Sequence, residues 1–129
     1  MRIIITTLIL TAVFALTGLG QKAETLTLRA GQQKSTADGR VKVKFLRVME
    51  DSRCPANAKC VWAGNARIRI SAKIVGHSAR SFELNSTLKP QVVTHFAYEF
   101  AFAELRPIPG LDVRPKGKNP IATISVTRR

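Results

Sequence analysis

Catalytic raw material is scarce in this chain. Its 129 residues include two histidines, two cysteines and eight acids, set against 21 lysines and arginines. Aromatic residues are 6% of the total, with one tryptophan (Trp62) and one tyrosine (Tyr98). No G-x-S-x-G, H-E-x-x-H, phosphate-binding loop or dinucleotide fingerprint occurs. The four conceivable metal ligands, Cys54, Cys60, His77 and His95, show no zinc spacing. The cysteines are not C-x-x-C and no βαβ pattern surrounds them, which argues against a thioredoxin-like redox site. The expectation is therefore no enzyme, no metal and no cofactor. Internal repeats and domain linkers are also missing, and no helical period follows the first twenty residues. A chain of this length makes one domain.

The one long apolar run stands at the start, "MRIIITTLILTAVFALTGLG". Arg2 and the amine supply the positive end. Ile3 to Leu16 is apolar apart from Thr6, Thr7 and Thr11, and Gly18 and Gly20 are small residues placed for cleavage. That is the layout of a secretory signal peptide, predicted here as a signal helix in residues 1–20. The run is short for a membrane span, which needs about 20 mostly apolar residues. Position 19 is leucine, so there is no lipobox cysteine to carry a lipid anchor. The expected location is periplasmic or extracellular, with residues 21–129 as a single domain. Those residues keep 20 of the 21 basic residues and all eight acids, a formal charge of +12. Charge of that size speaks to partners and solubility, and not to fold.

Period-two alternation fills the rest. "RVKVKF" (Arg40 to Phe45) sets Val41, Val43 and Phe45 on one face and Lys42 and Lys44 on the other. The phase slips at Phe45-Leu46, which reads as a bulge. "NARIRISAKIV" places Ala66, Ile68, Ile70, Ala72 and Ile74 against Arg67, Arg69, Ser71 and Lys73. "HFAYEFAF" aligns Phe96, Tyr98, Phe100 and Phe102, with His95 and Glu99 outward. "IATISVT" offers Ala122, Ile124 and Val126. Weaker strands are "ETLTLR" and "RSFELN". Turn chemistry falls at Asp38-Gly39 and around Gly76, the latter closing a hairpin. "RPIPGLDVRPKGKNP" (Arg106 to Pro120) reads as a long, exposed, basic loop. One-face alternation in six or seven strands predicts an all-β fold, a small antiparallel β-sandwich or partly open barrel.

Both cysteines and the tryptophan crowd into "CPANAKCVW" (Cys54 to Trp62). In an exported chain, Cys54 and Cys60 form a disulfide. Closing a seven-residue loop contributes about 2.4 kcal/mol in the chain-entropy treatment. The staple joins the lysine strand to the arginine strand and sets their register. Trp62 is expected to begin the second strand and cover the adjoining core, with Gly64 allowing a kink. Asp51 and Ser52 suit backbone hydrogen bonding in a turn. A rigid loop of this kind also suits presentation to a partner, with Arg53, Asn57 and Lys59 as contact residues.

The segment "DSRCPANAKCVWAGNARIRI", the aromatic strand ending "ELRPIP" and the last strand "ATISV" resemble a family of small exported bacterial proteins. Its motif is D-S-R-C-P-x(4)-C-x-W-x-G-x-A, matched here by Asp51, Ser52, Arg53, Cys54, Pro55, Cys60, Trp62, Gly64 and Ala66. The resemblance covers most of residues 21–129. It implies export and a β-rich fold, and it carries no activity with it. Family members often have a tyrosine between the two prolines of the late loop; here that residue is Ile108.

Two binding classes follow from the charge. If the lysine and arginine strands pair, Lys42, Lys44, Arg67, Arg69 and Lys73 share one outer face. Such a face suits anionic envelope material: phosphorylated lipid headgroups, wall polymers or extracellular nucleic acid. Nucleic acid is the weaker candidate, since exposed aromatics do not interleave with the cations. The alternative is a protein-binding or inhibitor-like module that offers the Cys54–Cys60 loop to an exported protein.

Overall fold

The computed structural model describes residues 22–110 and 120–129. The expected signal segment and most of the late basic loop, residues 111–119, lie outside the described residues. Eight strands occur: β1 (Ala23–Arg29), β2 (Gln33–Ser35), β3 (Val41–Asp51), β4 (Ala66–Ile74), β5 (Arg80–Asn85), β6 (Val92–His95), β7 (Tyr98–Arg106) and β8 (Ile121–Arg128). They form two four-stranded sheets, ordered β1-β8-β7-β6 and β2-β3-β4-β5. Every pairing is antiparallel. The predicted all-β class is correct, and of its two forms the chain adopts the sandwich. Among the described residues the strand count is eight because β2 and β6 are too short to show alternation.

The core is the set of inward residues that the alternation marks. Val41, Val43 and Phe45 of β3 are fully buried, as are Ala66, Ile68, Ile70 and Ala72 of β4. Facing them are Leu26 and Leu28 of β1, Tyr98 and Phe100 of β7, and Ala122, Ile124 and Val126 of β8. Burying each large apolar side chain contributes about 1.5–3 kcal/mol, so these two inner faces hold the sheets together. The expected bulge in β3 is present, with register shifts between Phe45 and Arg47 and again between Val48 and Glu50. Gly76 does close the β4–β5 hairpin, at φ 84°.

Two expectations need correction. "HFAYEFAF" is not one strand. His95 pairs with Tyr98, so Phe96 and Ala97 form the turn between β6 and β7. Phe96 takes φ 52° and is 58% exposed. The left-handed conformation costs a bulky residue about 1–3 kcal/mol. It goes unannounced because no Gly, Asn or Asp marks it. Trp62 is the second correction. β4 begins only at Ala66, and Trp62 stands 62% exposed outside the core rather than covering it. A glycine turn intervenes: Gly64, at φ 69°, lies against the backbone of Ser52, Arg53 and Cys54.

Candidate functional site

The β2-β3-β4-β5 sheet turns Lys42, Lys44, Arg67, Arg69 and Lys73 to its outer face, as the alternation requires. In register, Lys42 stands opposite Lys73, and Lys44 opposite Ser71. Beyond the first bulge, Arg47 stands opposite Arg69, and beyond the second, Glu50 opposite Arg67. On the other flank Glu83 of β5 faces Arg69.

That register splits the expected five-residue patch in two. Arg69 donates to Glu83 at 3.2 Å. Arg67 lies 3.8 Å from Glu50 and 3.9 Å from Glu83, and its Nε makes no hydrogen bond. Arg67 and Arg69 share two carboxylates there, whereas Arg47, opposite Arg69, has no carboxylate within 4 Å among the described residues. No carboxylate of the described residues comes within 4 Å of Lys42, Lys44 or Lys73. The open cations cluster at the lysine end, where β3 begins and β4 finishes, with Arg47 further along β3.

The stapled loop occupies the opposite end of the same two strands. Cys54 and Cys60 are joined by a disulfide with their Cα atoms 5.9 Å apart. This bond fits an oxidising, exported compartment. Arg53, expected as a contact residue, points inward instead. Its Nε and Nη2 donate to the two oxygens of Asp51 at 2.8 and 2.9 Å. Further N–H groups reach the carbonyls of Leu105, at 2.7 Å, and Pro107, at 2.8 Å. Bidentate geometry makes the carboxylate pair a strong one. The guanidinium ties the loop to the end of β7 in the other sheet, and the Ala56 N–H adds a bond to the Pro109 carbonyl at 2.7 Å. Asn57 and Lys59 remain exposed, with Gly110 packed on the Asn57 side chain.

A polar node locks the base of this end. Asn65 and Asn85 are buried, and Asn65 Nδ2 donates to Asn85 Oδ1 at 2.9 Å. Asn65 Oδ1 accepts from the N–H groups of Thr87 and Leu88. Ser52 takes the structural task expected of it, its Oγ accepting from the Asn65 N–H at 3.0 Å. Satisfied buried amides of this kind hold loop geometry at little net cost.

The far end holds a grouping that sequence reasoning missed. His77 sits in the turn before β5, and His95 ends β6. β5 leads away from this end and β6 leads back to it in the other sheet, so the two histidines meet. The His77 ring stacks on Phe96 at 3.7 Å, and His95 lies 4.5 Å from the same ring. His95 also packs edge-on to Phe82 at 5.3 Å, and Arg80 lies over Phe82. Together with Gly76, Ser78 and Ala79, residues of this group line a shallow open cleft of about 450 Å³. Burial pushes the His95 imidazolium pKa below the ordinary 6.5, with the charges of Arg80 and His77 adding to the effect. Its Nε2 is buried without a hydrogen-bond partner. Two imidazoles and a guanidinium, with no carboxylate lining the cleft, do not make a cation site. No group of three or more His, Cys, Asp or Glu that could hold a metal occurs among the described residues. The only local signal in the chain is that each histidine neighbours a turn.

Comparison with family models, curated proteins and solved structures found no match to the chain.

Proposed function

We propose that the chain is an exported, non-enzymatic binding module. The lysine end of its β2-β3-β4-β5 sheet holds anionic components of the cell envelope. One observation above all supports this: Lys42 and Lys73 face each other across the β3–β4 ladder with no described carboxylate within 4 Å. Like charges directly opposite destabilise a sheet. A polyanion laid across the pair removes that repulsion and gains from both ammonium groups at once. Lys44 extends the row along β3. Lysine acts here as a point charge, which suits phosphate- or sulfate-rich polymers of varied geometry better than one shaped ligand.

The location belongs to the same proposal. The signal-like sequence of residues 1–20 and the Cys54–Cys60 bond support a site of action in the periplasm or outside the cell. The D-S-R-C-P-x(4)-C-x-W-x-G-x-A motif resembles that of exported proteins and agrees with this location.

Heparin chromatography tests the reading. A Lys42→Ser/Lys73→Ser protein should elute at clearly lower salt than Lys22→Ser/Arg29→Ser, which removes the same charge from β1 and the residue just before it. Equal elution of the two variants would show that net charge alone governs retention and would remove the focused site.

A further inference from the structure

The stapled end carries a second surface that the lysine site does not explain. Val61 is 96% exposed and Trp62 62% exposed, side by side immediately after Cys60. Leu88, 57% exposed, belongs to the same end of the sandwich, since its N–H donates to Asn65 Oδ1. Lys59 and Lys89 flank these residues in the chain, and both are exposed. Two adjacent apolar side chains of this size left in water make the kind of patch that marks an interaction site. The segment is not loose. It is anchored at both ends, by the disulfide at Cys60 and by the close approach of Gly64 to residues 52–54. The result is an apolar projection anchored at both ends, with Lys59 beside it in the chain.

We infer that this end, with Val61 and Trp62 next to Lys59 and the exposed Leu88–Lys89 pair on the same end of the sandwich, docks the protein on the surface of an anionic lipid bilayer. Several features favour a lipid surface over a protein partner. Val61 and Trp62 stand exposed at this end, where their apolar surface is free to enter a lipid interface. Tryptophan suits the bilayer interface, its ring among the acyl chain ends and its N–H among the headgroups. Lysines beside it reach back to the headgroup phosphates. Residues 21–129 carry a formal +12, which complements an anionic leaflet. Two inserted side chains make a weak anchor, so the contact is peripheral and reversible. This surface stands apart from Lys42 and Lys73, at the far ends of β3 and β4, and does not depend on their role.

Trp62, being the only tryptophan, reports directly on its own insertion. The oxidised, exported protein is titrated with vesicles of equal parts phosphatidylglycerol and phosphatidylcholine, and with pure phosphatidylcholine. The expected result is a blue-shifted Trp62 emission with the anionic vesicles, quenched when the acyl chains are brominated. Val61→Asp should abolish the shift while leaving the melting temperature unchanged, because the Val61 side chain stands in solvent. Lys59→Ser/Lys89→Ser should weaken binding at least on the order of tenfold, from about fivefold per lysine near an anionic surface. Lys42→Ser/Lys73→Ser should retain the shift, so failure of the lysine-face reading and failure of this one are distinguishable. Unshifted emission on vesicles that nevertheless pull the protein down would overturn the inference. So would an equal shift on neutral vesicles, or a shift produced only by an envelope protein.

Discussion

Arg53 grips Asp51 through two parallel N–H···O bonds of 2.8 and 2.9 Å and at the same time bridges to the carbonyls of Leu105 and Pro107 in the opposite sheet. One guanidinium thus fastens the stapled loop to the end of β7. The loop is a brace between sheets as well as a link between β3 and β4.

Replacing that guanidinium should be costly. Arg53→Ala leaves two carbonyl oxygens without their donor and removes the bidentate pair, a loss of about 2–3 kcal/mol. Arg53→Lys should recover little, because an ammonium cannot fork. Urea unfolding midpoints of the two variants check this; a lysine variant with wild-type stability would contradict the bridging role.

Removing the disulfide with Cys54→Ser/Cys60→Ser should cost about 2.4 kcal/mol and lower the melting temperature by roughly 10 °C. Because Arg53 constrains the same loop, its removal and that of the disulfide should not add. A triple variant should show a coupling of about 0.5 kcal/mol or more. Strict additivity in calorimetry would mean that the two constraints act on separate structure.

Gly64 and Gly76 make a matched pair. Both have positive φ, 69° and 84°. A Cβ at Gly64 would collide with the Ser52 carbonyl and meet Arg53 Cα at 2.8 Å, whereas one at Gly76 meets nothing within 4 Å. Gly76→Ala should cost about 1 kcal/mol of backbone strain, and Gly64→Ala at least about 2 kcal/mol. Denaturant curves of the two proteins should therefore separate, and equal losses would contradict the close approach.

Stability should fall with mild acid. Burial, Arg80 and His77 hold the His95 pKa below its ordinary 6.5, so the folded protein resists taking up the proton that the unfolded chain accepts. The neutral form is favoured by folding, and its contribution is complete above 6.5 and diminishes as pH drops from there toward the lowered folded value. Asp38 is also lowered, through its bonds from Thr36 Oγ1 and the Arg40 N–H, but its loss begins only below about 3.8. Unfolding of wild type and His95→Gln between about pH 7.5 and 5.5 separates the two. The wild type should lose stability over that interval and the variant should be nearly flat. A flat wild type would contradict the assignment.

What the amino-acid pattern can show is whatever depends on phase. Val41, Val43 and Phe45 inward with Lys42 and Lys44 outward follows from period two, and so does the bulge at Phe45. What it cannot show depends on register and on turns without turn residues. Glu50 reaches Arg67 only because β3 shifts register twice. Phe96 keeps the phase of Tyr98 while standing in the turn, so alternation runs straight through it. The inward course of Arg53 depends on where β7 ends, in the other sheet, and the meeting of His77 with His95 on a crossover between sheets. None of these long-range placements has a local signature. Trp62 escapes the pattern for a simpler reason: an aromatic beside a strand reads as core, and the glycine turn at Gly64 keeps it out.

The salt dependence of polyanion binding tests the lysine pair most directly. Affinity for inorganic polyphosphate is measured against salt concentration for the wild type, Lys42→Ser/Lys73→Ser and Lys22→Ser/Arg29→Ser. Removing one lysine–phosphate interaction reduces the logarithmic slope by about 1, so the first variant should fall by about 2 and the second by close to none. An equal reduction in both variants, or an unchanged slope without Lys42 and Lys73, would contradict the proposed site.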